Sequence, residues 1–188
     1  MEELWRQIEA WLADNAPGVL SSLGPPASEM DIDLAEIALS VKFPADFRES
    51  YLVHNGSHPK GQFLFPSGEF LSLNRMVSEW TVWKELVDDG TFRGDESEPA
   101  RCIHNDWFNI RWIPFTYDGA GNHYCLDLAP SAWGTNGQII TMWHDAPERE
   151  LLASSFRDYL ELLFEKLQSG ELVYSEEYSG IVPIEDIA

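Results

Sequence analysis

The segment that most limits what this chain can fold into is "WIPFTYDGAGNHYCLDL", Trp112 to Leu128. Two strand candidates flank Asp-Gly and Gly-Asn steps, which accept positive φ, and that combination is a β-hairpin signal. Ile113, Phe115 and Tyr117 then share one face of the first strand. Tyr124, Leu126 and Leu128 share one face of the second, and these residues are expected in the core. His123, Cys125 and Asp127 project together from one side of the second strand. A rise of about 3.3 Å per residue sets His123 and Asp127 about 13 Å apart, too far for both to hold one ion at about 2 Å. The turn offers oxygens at Asp118 and Asn122 but lacks the roughly 12-residue ligand run of a calcium loop. It also precedes a strand, where a phosphate cradle needs a helix amino terminus. The stretch reads as architecture.

Around the hairpin the apolar spacing is helical. Leu4, Trp5, Ile8, Trp11 and Leu12 predict a helix over Glu2 to Asp14, stopped by "NAPG". Ser28 with Asp31 three residues on predicts a capped helix whose inner stripe would be Met30, Leu34, Ile37, Ala38 and Val41. A second short helix follows in "FPADFRESYLVHNG", with Pro44 in its first turn, Asp46 at the positive end of its dipole and Gly56 as a left-handed stop. "QFLF" and "EFLSL" are short strand candidates. Met76, Val77, Trp80, Trp83 and Val87 trace another helix that ends at "DDG". Thr91 to Pro99, "TFRGDESEP", has no periodicity and reads as a mobile surface loop. Strands are expected at Arg111 to Tyr117, His123 to Leu128 and Gln138 to His144. A last helix carries Phe156, Tyr159, Leu160, Leu163 and Leu167 and closes at Gly170. The order predicts an α+β fold with a mostly antiparallel sheet packed by helices. At 188 residues, one domain over 1–188 suffices.

Charge narrows the function classes. Asp plus Glu number 32 against 12 Lys plus Arg, a net of −20. That field repels phosphate backbones and anionic lipid, so neither nucleic acid nor membrane is expected as a partner, whereas a cationic protein is attracted. Two cysteines, Cys102 and Cys125, lack CxxC spacing and suggest a reducing, cytoplasmic setting, and Cys102 is expected at or near the surface. No G-x-S-x-G elbow, phosphate loop or HExxH motif occurs, so no catalytic, cofactor or metal residues are assigned. His123 and His144 with nearby acids remain the one route to a metal-dependent hydrolase. Trp107, Trp133 and Trp143 have no obvious core position, and an exposed one would be an interface anchor.

The strings "PASEMDIDLAEIAL", "VKFPADFRESYLVHNG", "LSLNRMVSEW", "WIPFTYDGAGNHYCLDL", "GTNGQIITMWHD" and "SFRDYLELLFEKL" together resemble, in this order, the SUKH superfamily, which includes a fungal cell-wall synthesis regulator and many bacterial toxin-immunity proteins. The resemblance covers about 26–167, leaving an N-terminal helix and linker (1–25) and a C-terminal tail (170–188) outside it. It implies a SUKH-like single domain without enzymatic activity or cofactor. The family positions carried over are Pro44, Tyr51, Asn55 and Gly56, then Trp112, Pro114, Gly121, Asn122 and Asp127, which look architectural, with Asp118 among them. The implied activity is protein binding: first, an immunity protein occluding a basic toxin domain, such as a nuclease; alternatively, a regulatory scaffold like the fungal relatives. Asp88, Asp89, Asp95, Glu96 and Glu98, with Asp118 as a second cluster, are the expected partner contacts.

Overall fold

The structure, a computed structural model, describes residues 1–187. Helix α1, Glu2–Asn15, buries Leu4, Trp5, Ile8 and Leu12, as their spacing predicts. Within the expected linker, Pro17 opens a short further helix, α2, Pro17–Ser22. Proline suits that position because the first N–H of a helix has no partner to lose. Helix α3, Glu29–Leu39, starts with the expected reciprocal cap: Ser28 Oγ accepts from Asp31 N (3.2 Å) and Asp31 Oδ2 from Ser28 N (2.9 Å). Its inward side differs from the expected one. Ile32, Ala35 and Leu39 enter the core, while Met30, Leu34, Ile37 and Ala38 face outward and, of the expected stripe, only Val41, just past the helix, is buried. Two apolar stripes compete on this helix, and the packing of α3 on the rest of the fold selects the other.

Helix α4, Ala45–Tyr51, follows Pro44. Gly56 does adopt the left-handed region, at φ 73°. It is not the stop of α4, which ends several residues earlier. It lets the chain press against the strand leading to the next helix, where an added Cβ would sit 2.3 Å from Ser72 N. That segment contains β1, Glu69–Phe70, whereas "QFLF" makes only isolated bridges. Helix α5, Leu73–Asp88, begins one turn before the predicted stripe and buries Leu73, Met76, Trp80 and Trp83.

Thr91–Pro99 is tied down more firmly than expected. Phe92 stacks on Trp83 (5.8 Å), Ser97 is buried, and β2, Glu98–Pro99, pairs in parallel with β7, Glu148–Arg149. The expected strand at 111–117 is broken at Phe115 into β3, Trp112–Pro114, and β4, Thr116–Tyr117. With β5, His123–Asp127, β6, Gln138–Met142, and β8, Leu151–Ala153, it builds a four-stranded antiparallel sheet in the order β3-β5-β6-β8, while β4 pairs with β1. Edge strand β8 escaped the sequence reading.

Both faces of this sheet are covered. Helix α6, Phe156–Ser169, lies on one side, where Tyr159 meets Phe115 (5.8 Å) and Tyr124 (6.1 Å). On the other, Trp83 of α5 meets His123 (6.1 Å). Ile113, Phe115, Leu126 and Leu128 are buried as expected, and Tyr124 is half-buried. Tyr117 departs from them and stacks on His123 (5.4 Å), because the break at Phe115 shifts the alternation. The tail after Gly170 forms a hairpin, β9, Leu172–Ser175, with β10, Gly180–Pro183, followed by a 3₁₀ turn at Ile184–Ile187. It joins the N-terminal half of the chain through Phe63, whose N–H donates to the Ser179 carbonyl (3.1 Å) and whose carbonyl accepts from Ile181 (2.8 Å).

Candidate functional site

The acidic residues singled out in the sequence gather at one end of α5. Asp88, Asp95 and Asp106, with one base, Arg93, line a cleft of about 280 Å³ over a floor of Phe92, Trp107 and Phe108. The floor is stacked: Trp83 on Phe108 (5.0 Å), Phe92 on Trp107 (6.5 Å). Offset aromatic stacks hold side chains rigid at little further entropic loss, which suits a recognition surface. Asp89, Glu96 and Glu98 are exposed on the same segment, and Glu96 bridges to Asp106. Asp88 pairs with Lys84. Asp106, Trp107 and Phe108 were missed as site residues. The only sequence signal was that Trp107 belonged to no apolar stripe.

Asp118 is placed otherwise. Its Oδ1 accepts from the backbone N–H of Ala120 (2.7 Å), Gly121 (3.1 Å) and Asn122 (3.0 Å), and its Oδ2 from Asn122 Nδ2 (2.6 Å). Burial alone would raise this carboxyl, but those four donors bring it below the usual carboxylate range. The side chain builds the turn of the hairpin and is not assembled with the 88–98 segment. Asn122 continues the brace, its Oδ1 accepting from His144 N (2.9 Å).

His123, Cys125 and Asp127 do share a side, and that side is sealed: all are fully buried. His123 accepts from the Trp83 indole at Nε2 (3.0 Å) and donates from Nδ1 to the Thr116 carbonyl (2.7 Å). Both ring nitrogens are committed, so this imidazole has no lone pair for a metal. Burial depresses it to about 4. Burial likewise pushes the Cys125 thiol far up, away from nucleophilic thiolate chemistry. Asp127 is raised by burial and works as a pin, accepting from Ala129 N (2.9 Å) and from Gln138 Nε2 (2.8 Å), which also donates to the Cys102 carbonyl (3.0 Å). Among the described residues, no three His, Cys, Asp or Glu side chains are grouped to hold one ion.

The family positions fall into two braces. In the first, Pro44 caps α4, the buried Tyr51 donates its hydroxyl to the Leu71 carbonyl (2.9 Å), and Asn55 Oδ1 caps α5 at Leu73 N (2.9 Å). Gly56 supplies the close approach beside them. In the second, Trp112 pairs across the ladder with Asp127, Pro114 with Cys125, and Gly121 takes φ 113° beside His144. These residues set geometry. Of the unassigned tryptophans, Trp107 and Trp143 are half-buried. Trp133 is 67% exposed, with the Arg101 guanidinium 3.6 Å above its ring.

Helices before, a mostly antiparallel sheet within, a helix after and two structural braces define the class: an α+β domain whose marked residues hold its turns and helix ends in place. Residues 26–162 match the model of the SMI1 / KNR4 family (SUKH-1), and the chain belongs to that family. The relatives it matches include the cell wall biosynthesis/cell cycle regulator smi1 of Schizosaccharomyces pombe, 26% identical over 198 residues covering 96% of this chain and 39% of the relative. A glucan synthesis regulatory protein of Neurospora crassa is 25% identical over 92% of this chain and 39% of its own length. The cell wall assembly regulator SMI1 of Saccharomyces cerevisiae is 24% identical over 88% of this chain and 40% of its own. The chain thus spans about two fifths of the length of these curated relatives.

Proposed function

We propose that this chain is a non-enzymatic regulatory scaffold domain that binds a cationic protein against the acidic rim of the 88–108 cleft. The observation that carries this is the joining of Asp88, Asp95 and Asp106, three acids against the single base Arg93, around a stacked aromatic floor on a molecule of net charge −20. Rim charge accelerates and selects the encounter, and a rigid apolar floor supplies the desolvated centre of an interface. The names of the relatives, regulators of wall and glucan synthesis, favour scaffolding over the neutralisation of a toxin. The hydrolase alternative is weakened by the committed nitrogens of His123. The binding unit on this proposal is the chain as one domain, acting in the cytoplasm.

The test is capture of partners by the tagged protein in its own cell, read by mass spectrometry at about 0.1 M and about 0.5 M salt. The expected partner is a wall-synthesis or signalling protein with a basic face, released by high salt and captured about tenfold less by Asp95→Lys combined with Glu96→Lys and Glu98→Lys. Capture of a toxin domain would restore the immunity role in its place. Nucleic acid as the bound species would overturn both.

A further inference from the structure

Helix α3 is apolar on two sides, and only one is covered. Met30, Leu34 and Ile37 are 71%, 58% and 71% exposed. Spaced four and three residues apart, they make one stripe about 10 Å long. Beside the stripe runs a groove of about 360 Å³ between α3 and α5, floored by Ala35, Ala38 and Val77 and edged by Asp31, Asn74 and Ser78. One turn beyond Ser78, Val82 adds a further apolar side chain, 55% exposed.

The two helices run in the same direction. Asn55 marks both beginnings, since its N–H donates to the Pro25 carbonyl ahead of α3 (2.9 Å) and its Oδ1 caps α5. Further along, residues 110–111 join the end of α3 to the middle of α5: Arg111 reaches the Ser40 carbonyl (3.3 Å) and the Ile110 carbonyl accepts from Trp80 (2.8 Å). Helix α3 carries four acids and no base, and α5 three acids against two bases. The neighbouring Arg48 is already bound by Glu29, Asp33 and Glu36, and Lys42 by Glu36. The groove is therefore apolar in its floor, with one carboxylate, Asp31, on a rim otherwise edged by the neutral Asn74 and Ser78.

A contiguous exposed apolar stripe on a well-capped helix marks a contact surface. A second copy of this chain fits poorly there, because it would bring together two molecules each of charge −20. Anionic lipid fails on the same sign. We infer that the α3–α5 groove receives an amphipathic, basic helix of a partner protein, its apolar residues seated on Leu34, Ile37 and Val82 and its Lys and Arg residues facing Asp31 and Glu85. The inference rests on the binding role proposed above and adds a contact surface separate from the 88–108 cleft.

The test titrates a labelled, roughly 18-residue peptide with Leu at helical spacing flanked by Lys against the full chain at about 150 mM salt. A shuffled peptide of the same composition is the control. Saturable binding is expected, about tenfold weaker for the shuffled peptide and about tenfold weaker for the Leu34→Asp, Ile37→Asp variant. Both positions are solvent-facing, so the variant should melt as the parent does, and the Met30 methyl resonance should shift on peptide addition in the parent. Equal binding of the two peptides, unchanged affinity in the variant, or no saturation by about 1 mM overturns the inference. So does a parent dimer that the variant abolishes, which would make the occupant a second copy. If Leu34→Asp with Ile37→Asp still captures the native partner while the 95–98 reversal does not, the groove inference fails and the scaffold role stands. If both capture as the parent does, the scaffold role fails too.

Discussion

At the scale of single residues, His123 has the least freedom. Its neutral form is fixed by one donor and one acceptor, and protonation would aim an N–H at the Trp83 indole N–H. An unfolded imidazole titrates near 6.5 and the folded one near about 4. Between those values only the unfolded chain takes up the proton, so stability falls as pH drops from about 6.5 to about 4, by about 3 kcal/mol in total. Urea midpoints measured across that window should decline, and His123→Gln should flatten the decline. An imidazole ¹³C shift that titrates near pH 6.5 would contradict this. Sequence placed His123, Cys125 and Asp127 on one side of a strand correctly, because period-two alternation is local. It did not reveal that α5 seals that side, since burial of a second face depends on an element far away in the chain.

At the scale of elements, caps and stripes were the most legible features. Ser28, Gly170 and the stripes of α1, α5 and α6 are fixed by neighbours three or four residues away, which a sequence displays directly. Helix α3 was misread because it carries two stripes of similar quality, and tertiary contact alone chooses between them. The strands of the tail were missed because "ELVYSEEYSGIVP" alternates weakly and holds its place by pairing with Phe63. That hairpin buries Leu172 and Ile181. A chain ended at Gly170 loses both, at about 1.5–3 kcal/mol each, and its thermal midpoint should drop by about 10 °C or more. A melt that overlays the full chain would show that the hairpin is only an appendage. The cleft was legible in part: its acids stood out as a segment, but Trp107 and Phe108 join them only through stacking on α5.

At the scale of the molecule, a net charge of −20 raises the energy of the compact state through self-repulsion. The cationic side chains are largely engaged locally, as with Arg48 among three carboxylates. Added monovalent salt screens the long-range repulsion more than these close pairs, so the midpoint should rise by a few degrees between about 10 mM and about 0.5 M salt. A falling midpoint would mean that short-range pairs dominate.

The junction between Phe63 and the strand at 180–181 also sets an order of events during synthesis. A ribosome would have delivered residues 62–63 long before their partners exist, so the growing polypeptide must keep that edge unpaired until the segment around Ile181 emerges. Final closure of the domain is therefore expected to be a late step after translation of this region, and the waiting edge is where a chaperone would have most to protect.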